Sequence, residues 1–288
     1  QDWQKALDLT YLGEGLQRAF MELMNLGSTE AKKQVDQLVA DSVSTQDVYA
    51  KLQKLIGSRL LVDKSPSYGL SKEILQQAEA LFKDAKYIHL IRHPYAMIES
   101  SRRIRLEKVL GNGRMDAHDF AEEVWLRANQ NIHEFGQQLG SERFCTIRFE
   151  ELTQSPDKVG QELCAFLNLP FADAILQPYQ GERMTDGVHS GSLRVGDPNF
   201  HKHRKIDPAL ATVWQEIKLQ RPLQPETQQV ATQLGYQLPV ENGSKLVSEA
   251  KPFVPTTVET AASPIVPIQT AGTKPPFFCV HPGSGAAY

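Results

Sequence analysis

Arg92 and Ser100 are the residues whose types and spacing first suggest chemistry in this sequence. Residues 87–91 form a short, mostly apolar run of strand type, and Pro94 suits the first position of a helix. Arg92 therefore stands between a strand and a helix, where open α/β sheets bind their ligands. An arginine and a hydroxyl near such a position suit a phosphate group. The alternative is an ordinary strand–helix connection whose arginines face solvent.

Asp63 and Lys64 are a second candidate pair, at the end of another predicted strand. Residues 59–63 are mostly apolar and lead into a helix predicted over residues 70–82. Two strand–helix units in succession, this one and the one around Arg92, predict a parallel sheet. From the residues alone, Asp63 and Lys64 are also suited to pairing with each other or capping the following turn.

Helical periodicity accounts for much of the remaining sequence up to residue 236. Helices are predicted within 2–56, which holds two or three, and over 116–139, 156–167 and 225–234. A third strand is predicted over residues 144–149. Trp125 and Asn129 lie one turn apart on the long helix, where they either border a ligand or, as is usual for tryptophan, pack in the core.

The composition is that of a globular protein and excludes several functional classes. Of its 288 residues 41% are hydrophobic and 23% charged, and the net charge is -3, which argues against nonspecific nucleic-acid binding. The three cysteines form no Cys-x-x-Cys pair, so we expect neither a zinc site nor a disulfide framework, and a reducing, cytoplasmic setting. No apolar run is long enough to span a bilayer, and we expect no membrane partner.

The C-terminal part of the sequence differs in character from the rest. Prolines recur between residues 239 and 276 with almost no helical periodicity, which predicts a semi-rigid linker. Residues 277–285 (FFCVHPGSG) then predict a strand followed by a glycine turn.

Arg92-His93-Pro94, with Ser100 eight positions after the arginine, resembles the 3′-phosphate-binding segment of sulfotransferases that use 3′-phosphoadenosine-5′-phosphosulfate (PAPS). The resemblance implies an α/β fold, a P-loop-kinase-like parallel sheet flanked by helices. It also implies that Arg92 and Ser100 hold the 3′-phosphate of PAPS, that 3′,5′-adenosine diphosphate is the product, and that no metal takes part. The segment RFEEL at 148–152 resembles the same family, at a structural position to which we assign no catalytic role.

Asp-Lys-Ser-Pro-x-Tyr at 63–68 resembles the segment beside the transferred sulfuryl group in several bacterial and carbohydrate sulfotransferases. This implies Asp63 as the base and Lys64 as a positive charge near the leaving phosphate. Residues 181–205 form a long loop rich in glycine, histidine and basic residues, and its Arg194 is the nearest match to a family loop that closes over the 3′-phosphate. His203, favoured over two other histidines of this loop, is the alternative residue to orient or deprotonate the acceptor.

One element of the resembled family is missing from the sequence. These sulfotransferases begin with a strand and a Pro-x-Ser-Gly-Thr-Thr-type loop that cradles the 5′-phosphosulfate, and no such loop was identified in the sequence. We therefore expect residues upstream of Gln1 to supply it, and the base may itself belong to that part. The expected organisation is an N-terminally incomplete sulfotransferase domain over 1–238, a linker over 239–276, and the first strand of an α/β-hydrolase thioesterase over 277–288.

This combination of segments resembles the end of a type I polyketide synthase, of the cyanobacterial olefin-synthase or curacin type that forms terminal alkenes. The resemblance implies sulfation of the β-hydroxyl of an acyl chain on an acyl carrier protein, which activates the chain for decarboxylative elimination. It also implies an adjacent thioesterase as a partner in the same polypeptide. The alternatives are a sulfotransferase of a free small molecule or carbohydrate, and a noncatalytic nucleotide-binding module.

Overall fold

A parallel sheet of four short strands carries both pairs of candidate residues. The computed structural model describes residues 14–64, 66–82, 84–109, 115–179, 204–239 and 277–280. Within them the strands are β1 (Val62–Lys64), β2 (Lys86–Ile91), β3 (Phe144–Arg148) and β4 (Phe277–Val280). Their spatial order is β1-β4-β2-β3, and every neighbouring pair is parallel. The predicted parallel sheet is therefore confirmed.

Helices surround this sheet. The described α-helices are α1 (Glu14–Met24), α2 (Ser28–Ala40), α3 (Thr45–Ile56), α4 (Lys72–Leu81), α5 (Pro94–Arg103), α6 (Leu106–Val109), α7 (Ala117–Leu139), α8 (Phe149–Gln154), α9 (Pro156–Leu167) and α10 (Pro225–Gln233). Short 3₁₀ helices cover Pro66–Leu70, Asp173–Leu176, Pro208–Ala211 and Val213–Glu216. None of the helices in the described ranges is long and apolar enough to cross a membrane.

Side-chain caps explain where several helices begin. The Ser44 hydroxyl accepts a hydrogen bond from a backbone N–H of α3, and the Ser71 hydroxyl does the same for α4. Asp116 caps α7 by accepting from the backbone N–H of His118 at 2.9 Å. Such caps satisfy backbone donors that have no partner within the helix, and each contributes about 1 kcal/mol. The predicted helices over 70–82, 116–139, 156–167 and 225–234 are confirmed to within two residues at either end.

Strand β2 runs through the core, with buried side chains on both faces. Tyr87 packs with residues of α4 and α7, and Ile91 packs with residues of α7 and α10. Burying a large apolar side chain of this kind contributes about 1.5–3 kcal/mol. Tyr87 and Ile91 lie on the same face of β2, and both pack against α7, so this face fixes the backbone that leads to Arg92.

The register of the strands places the carboxyl ends of β2 and β3 at the same level, whereas β1 ends three residues earlier. Lys64 pairs with Cys279, which pairs on its other side with Ile88. Ile91, the last residue of β2, pairs with Arg148, the last residue of β3. β2 and β3 therefore bring the residues that follow them, Arg92 and Phe149, to one crevice at the edge of the sheet.

The strand predicted to begin at residue 277 is confirmed, and its position between two other strands was not predicted. Phe277–Val280 lies between β1 and β2 and pairs with both. The segments 240–276 and 281–288 fall outside the described residues. The three-part organisation, with residues 277–288 as the start of a hydrolase domain, stays a prediction.

Candidate active site

Arg92 lies directly after β2, two residues before helix α5 begins. Its side chain is buried, with 8% of its surface exposed, and its guanidinium carbon lies 4.3 Å from the centroid of the Phe149 ring. The indole N–H of Trp125 donates a hydrogen bond to the Arg92 carbonyl at 3.0 Å. Phe149 holds the charged end of the side chain, whereas Trp125 holds the backbone from which it extends. Arg92 is therefore a fixed, partly desolvated cation at the carboxyl edge of the sheet.

Glu150 fixes the next residue of the same turn. Its Oε1 accepts a hydrogen bond from the backbone N–H of His93 at 2.8 Å, and its Oε2 accepts one from the Tyr236 hydroxyl at 3.1 Å. Burial raises the pKa of Glu150, while these hydrogen bonds and the nearby Arg92 charge favour the ionised form. The Glu150 carboxylate thus links the turn after β2 to Tyr236, three residues after the end of α10.

The His93 side chain caps helix α5 from a buried position. Its Nδ1 accepts a hydrogen bond from the backbone N–H of Tyr95 at 3.2 Å, so the ring proton lies on Nε2, which donates to the Gln237 carbonyl at 3.1 Å. The ring stacks on Trp214 with centroids 3.9 Å apart. Burial lowers the pKa of His93 to about 4, so the ring is neutral at pH 7.

Ser100 lies six residues into helix α5, about 9 Å along its axis from Pro94. Its side chain is half-buried. Arg102, near the end of the same helix, forms an ion pair with Glu99 at 2.8 Å. The structure thus places Ser100 and Arg92 on one strand–helix unit, as the sequence predicts.

The end of β1 is much more open. Lys64 is exposed and Asp63 is half-buried. The Tyr49 hydroxyl, from helix α3, donates a hydrogen bond to Asp63 Oδ2 at 2.7 Å. Burial raises the pKa of Tyr49, and the neighbouring Tyr68 and Asp63 raise it further, so Tyr49 remains a donor. Tyr49 is a partner for Asp63 that the sequence did not suggest.

Strand β4 separates the two candidate pairs. Asp63 and Lys64 end β1, whereas Arg92 follows β2, and β4 lies between these strands. Neighbouring strands are about 4.8 Å apart, so the two strands are about 10 Å apart across the sheet. Lys64 is also level with Ile88, four residues before Arg92, so the two pairs lie at different levels along the sheet and are not in contact through it. Arg194 and His203 fall outside the described residues, and their roles stay predictions.

The residues around Arg92 match the chemistry of a phosphate group. A buried guanidinium and a hydroxyl on the following helix are a donor set that recognises phosphate oxygens. No group of three or more histidine, cysteine or acidic side chains suited to a metal ion occurs among the residues that the structure describes. The roles of Arg92 and Ser100 as phosphate ligands, and of Asp63 and Lys64 beside the reaction, remain hypotheses.

Sequence reasoning missed the residues that hold Arg92 in place. Trp125 and Asn129 are fully buried, which confirms packing as their environment, but the hydrogen bond from Trp125 to the Arg92 carbonyl was not predicted. Glu150 was assigned to a structural segment, without a partner. The available signal is that Glu150 closely follows a predicted strand, whereas the pairing of that strand with β2 is known only from the structure.

Comparison with known proteins gives a consistent result. A profile of the sulfotransferase family matches residues 6–173 of the chain. The nodulation protein NoeE of Sinorhizobium fredii (strain NBRC 101917 / NGR234) is 23% identical over 235 residues, which cover 77% of this chain. The chain spans 53% of the length of that protein.

Two solved structures are similar to the chain over most of its length. The sulfotransferase domain from the curacin biosynthetic pathway is 50% identical, with 79% of this chain and 80% of that chain covered and a TM-score of 0.74. The sulfotransferase domain from the Synechococcus PCC 7002 olefin synthase is 44% identical, with coverage of 83% and 81% and a TM-score of 0.75. Identity at this level, together with the parallel sheet flanked by helices, confirms the predicted fold class.

Proposed function

Because this chain belongs to the sulfotransferase family, we propose that it transfers a sulfuryl group from PAPS to the β-hydroxyl of an acyl chain on an acyl carrier protein. The observation that carries the proposal is the 44–50% identity to sulfotransferase domains of the curacin pathway and of an olefin synthase. The buried Arg92 at the end of β2 supports it, since the position and chemistry of this residue suit a phosphate.

Arg92 and Ser100 are the proposed ligands of the donor nucleotide. Bound PAPS supplies the activated sulfuryl group and carries a 3′-phosphate remote from it. The Arg92 guanidinium, oriented on Phe149, would donate to the 3′-phosphate oxygens, and the Ser100 hydroxyl would add a further donor. A phosphate held away from the reacting atoms fixes the position of the donor, and a misplacement of about 1 Å can cost about a hundredfold in rate.

Asp63 and Lys64 are the proposed residues on the reacting side. Asp63 would accept the proton of the attacking hydroxyl, and Tyr49 would hold the carboxylate in one orientation. The exposed Lys64 would offset the negative charge that develops on the leaving phosphate. His203 is the alternative base. Transfer of this kind needs in-line positioning but neither a metal nor a covalent enzyme intermediate.

The proposed product prepares the acyl chain for elimination. A sulfate ester is a much better leaving group than the original hydroxyl. Once an adjacent thioesterase releases the free acid, loss of carbon dioxide provides the electron pair that forms the double bond as sulfate departs from the β-carbon. The proposed partners are therefore an acyl carrier protein and a thioesterase domain in the same polypeptide.

One experiment tests this function. The full-length protein is incubated with PAPS and β-hydroxyacyl carrier protein, and mass spectrometry follows the acyl chain. We expect the chain to gain the mass of one sulfuryl group, and we expect slower transfer from adenosine 5′-phosphosulfate, which lacks the 3′-phosphate. Sulfation of free alcohols or sugars but not of the tethered chain would favour the free-substrate alternative. Binding of 3′,5′-adenosine diphosphate without any transfer would favour the noncatalytic module.

A further inference from the structure

The Glu150 side chain binds the backbone of the turn that carries Arg92. Helix α8 begins directly after β3, and the last residues of β3 and β2 pair with each other. Glu150 is therefore level with His93, across the gap between the two strand ends. Its Oε1 accepts a hydrogen bond from the His93 backbone N–H at 2.8 Å, and this N–H belongs to the peptide group that joins Arg92 to His93.

The second oxygen of Glu150 ties the same turn to a distant segment. Oε2 accepts from the Tyr236 hydroxyl at 3.1 Å, and the neighbouring Gln237 carbonyl accepts from the His93 ring at 3.1 Å. The segment after α10 is thus linked to His93 in two ways. Gln237 binds the His93 ring, and Tyr236 binds Glu150, which in turn binds the His93 N–H. Trp125 holds the Arg92 carbonyl from the side of α7. The carbonyl and the N–H of the one peptide group that joins Arg92 to His93 are therefore each held by a side chain.

We propose that Glu150 is a positioning residue for the nucleotide, which holds the peptide after Arg92 so that the guanidinium meets the 3′-phosphate. This inference rests on the proposed function. It assigns the His93 N–H to the protein, not to the phosphate, because the Glu150 oxygen already occupies that donor. Nucleotide affinity then depends mainly on whether the Glu150 side chain is long enough to reach the His93 N–H, and less on the charge of its carboxylate.

Two substitutions of Glu150 separate the effect of its side-chain length from the effect of its charge. Glu150→Asp keeps the charge but shortens the side chain by one carbon–carbon bond, about 1.5 Å, which is enough to break a hydrogen bond of this length. Glu150→Gln keeps the length and one acceptor oxygen but removes the charge. The matched control is Glu151→Asp, the same change one residue further on, where the side chain is 61% exposed and lies 3.9 Å from Arg148.

Isothermal titration with 3′,5′-adenosine diphosphate measures the effect, and thermal unfolding checks that each variant is folded. We expect Glu150→Asp to weaken binding about tenfold, because a buried N–H loses its partner. We expect Glu150→Gln to recover an affinity within about threefold of the unmodified protein, and Glu151→Asp to bind as the unmodified protein does. In turnover, the Glu150→Asp change should raise KM for PAPS and leave kcat at saturating PAPS nearly unchanged.

The outcomes distinguish the two proposals. If the unmodified protein does not bind 3′,5′-adenosine diphosphate, the proposed function and this inference both fail. If it binds and Glu150→Asp binds equally well or more tightly, the inference alone fails, since the His93 N–H is then dispensable or is itself a phosphate ligand. A tenfold loss in Glu150→Gln would also overturn it, because charge would then be the property that matters.

Discussion

The carboxyl ends of β2 and β1 differ sharply in how the protein holds them. At the end of β2, Arg92 and His93 are buried, and Trp125 and Glu150 bind the backbone between them. At the end of β1, Lys64 is exposed and the preceding Val62 is 55% exposed. The end of β2 is therefore buried and held by side-chain hydrogen bonds, whereas the end of β1 is exposed beside helix α3.

This difference matches the two tasks that the proposed reaction sets. The nucleotide is the same in every turnover, so the residues that bind its phosphate gain from being fixed before binding. In the proposed reaction the acceptor is an acyl chain tethered to another protein, and it must reach the reacting atoms from outside. We therefore expect changes at β2 to act on nucleotide affinity and changes at β1 to act on the rate of transfer.

The largest expected effect is that of Asp63→Asn. Loss of a base lowers the rate by about a hundredfold to ten-thousandfold, so we expect kcat to fall about a thousandfold while the affinity for 3′,5′-adenosine diphosphate is unchanged. Asparagine keeps an oxygen that can accept the Tyr49 hydroxyl, so the link to helix α3 survives. Single-turnover transfer and nucleotide titration measure the two quantities.

The control for that experiment is Tyr49→Phe, which removes the hydrogen bond and leaves the carboxylate. We expect a loss in kcat of about tenfold or less, since the base remains but is less well oriented. If Asp63→Asn costs no more than Tyr49→Phe, Asp63 has a structural role only, and the base belongs to His203 or to another residue.

Arg92→Ala should weaken nucleotide binding, in contrast to Asp63→Asn, which should lower kcat and leave nucleotide affinity unchanged. Removing a buried, charge-assisted pair of hydrogen bonds to a phosphate is expected to weaken 3′,5′-adenosine diphosphate binding about a hundredfold. Arg103→Ala, on the following helix, is the matched control, because its side chain is 72% exposed and lies 3.8 Å from Glu99. Equal affinity in the two variants would remove Arg92 from the site and with it the contrast between the strand ends.

The rigidity of the β2 end also predicts a dependence of stability on pH. Burial lowers the pKa of His93 from 6.5 to about 4, so between these values the unfolded chain binds the proton and the folded protein does not. Stability is therefore lost as pH falls from 6.5 towards 4, by about 2 kcal/mol between pH 7.5 and pH 5. The raised pKa of Glu150 acts in the opposite direction.

Comparison with His93→Asn isolates this contribution. Asparagine is a good N-cap and does not titrate, and Glu150 is present in both proteins. Urea unfolding at pH 7.5 and pH 5 should show a smaller loss of stability in the variant, with a difference of about 2 kcal/mol between the two proteins. Equal losses would mean that His93 is not held neutral in the folded protein.

The sequence predicted the β2 end well because its signals are local. A short, mostly apolar run marks the strand, and Pro94 marks the start of a helix, so the position of Arg92 follows from adjacent residues. β1 was predicted over 59–63 but is shorter and shifted, at Val62–Lys64. A strand extends only where a partner pairs with it, and among the described residues β4 pairs with these three residues of β1.

What the sequence could not predict depends on which elements become neighbours. Tyr236 meets Glu150 across 86 residues, and Gln237 meets His93 across 144. No periodicity links such positions, since the contact exists only after β3 and α10 have packed against the turn. Likewise, the strand at Phe277–Val280 was predicted from its own residues, but its place between β1 and β2 was not.

Ser100→Ala is expected to have the smallest effect, and it tests whether the proposed phosphate site at Arg92 extends along α5. The hydroxyl would be one neutral donor to a phosphate that Arg92 already holds, so its loss should weaken 3′,5′-adenosine diphosphate binding about fivefold and leave kcat unchanged. Ser101, the next residue, is buried and donates to Met97 within the helix, so Ser101→Ala is a control for packing. If only Ser101→Ala weakens binding, the helix contributes through its position and not through the Ser100 hydroxyl.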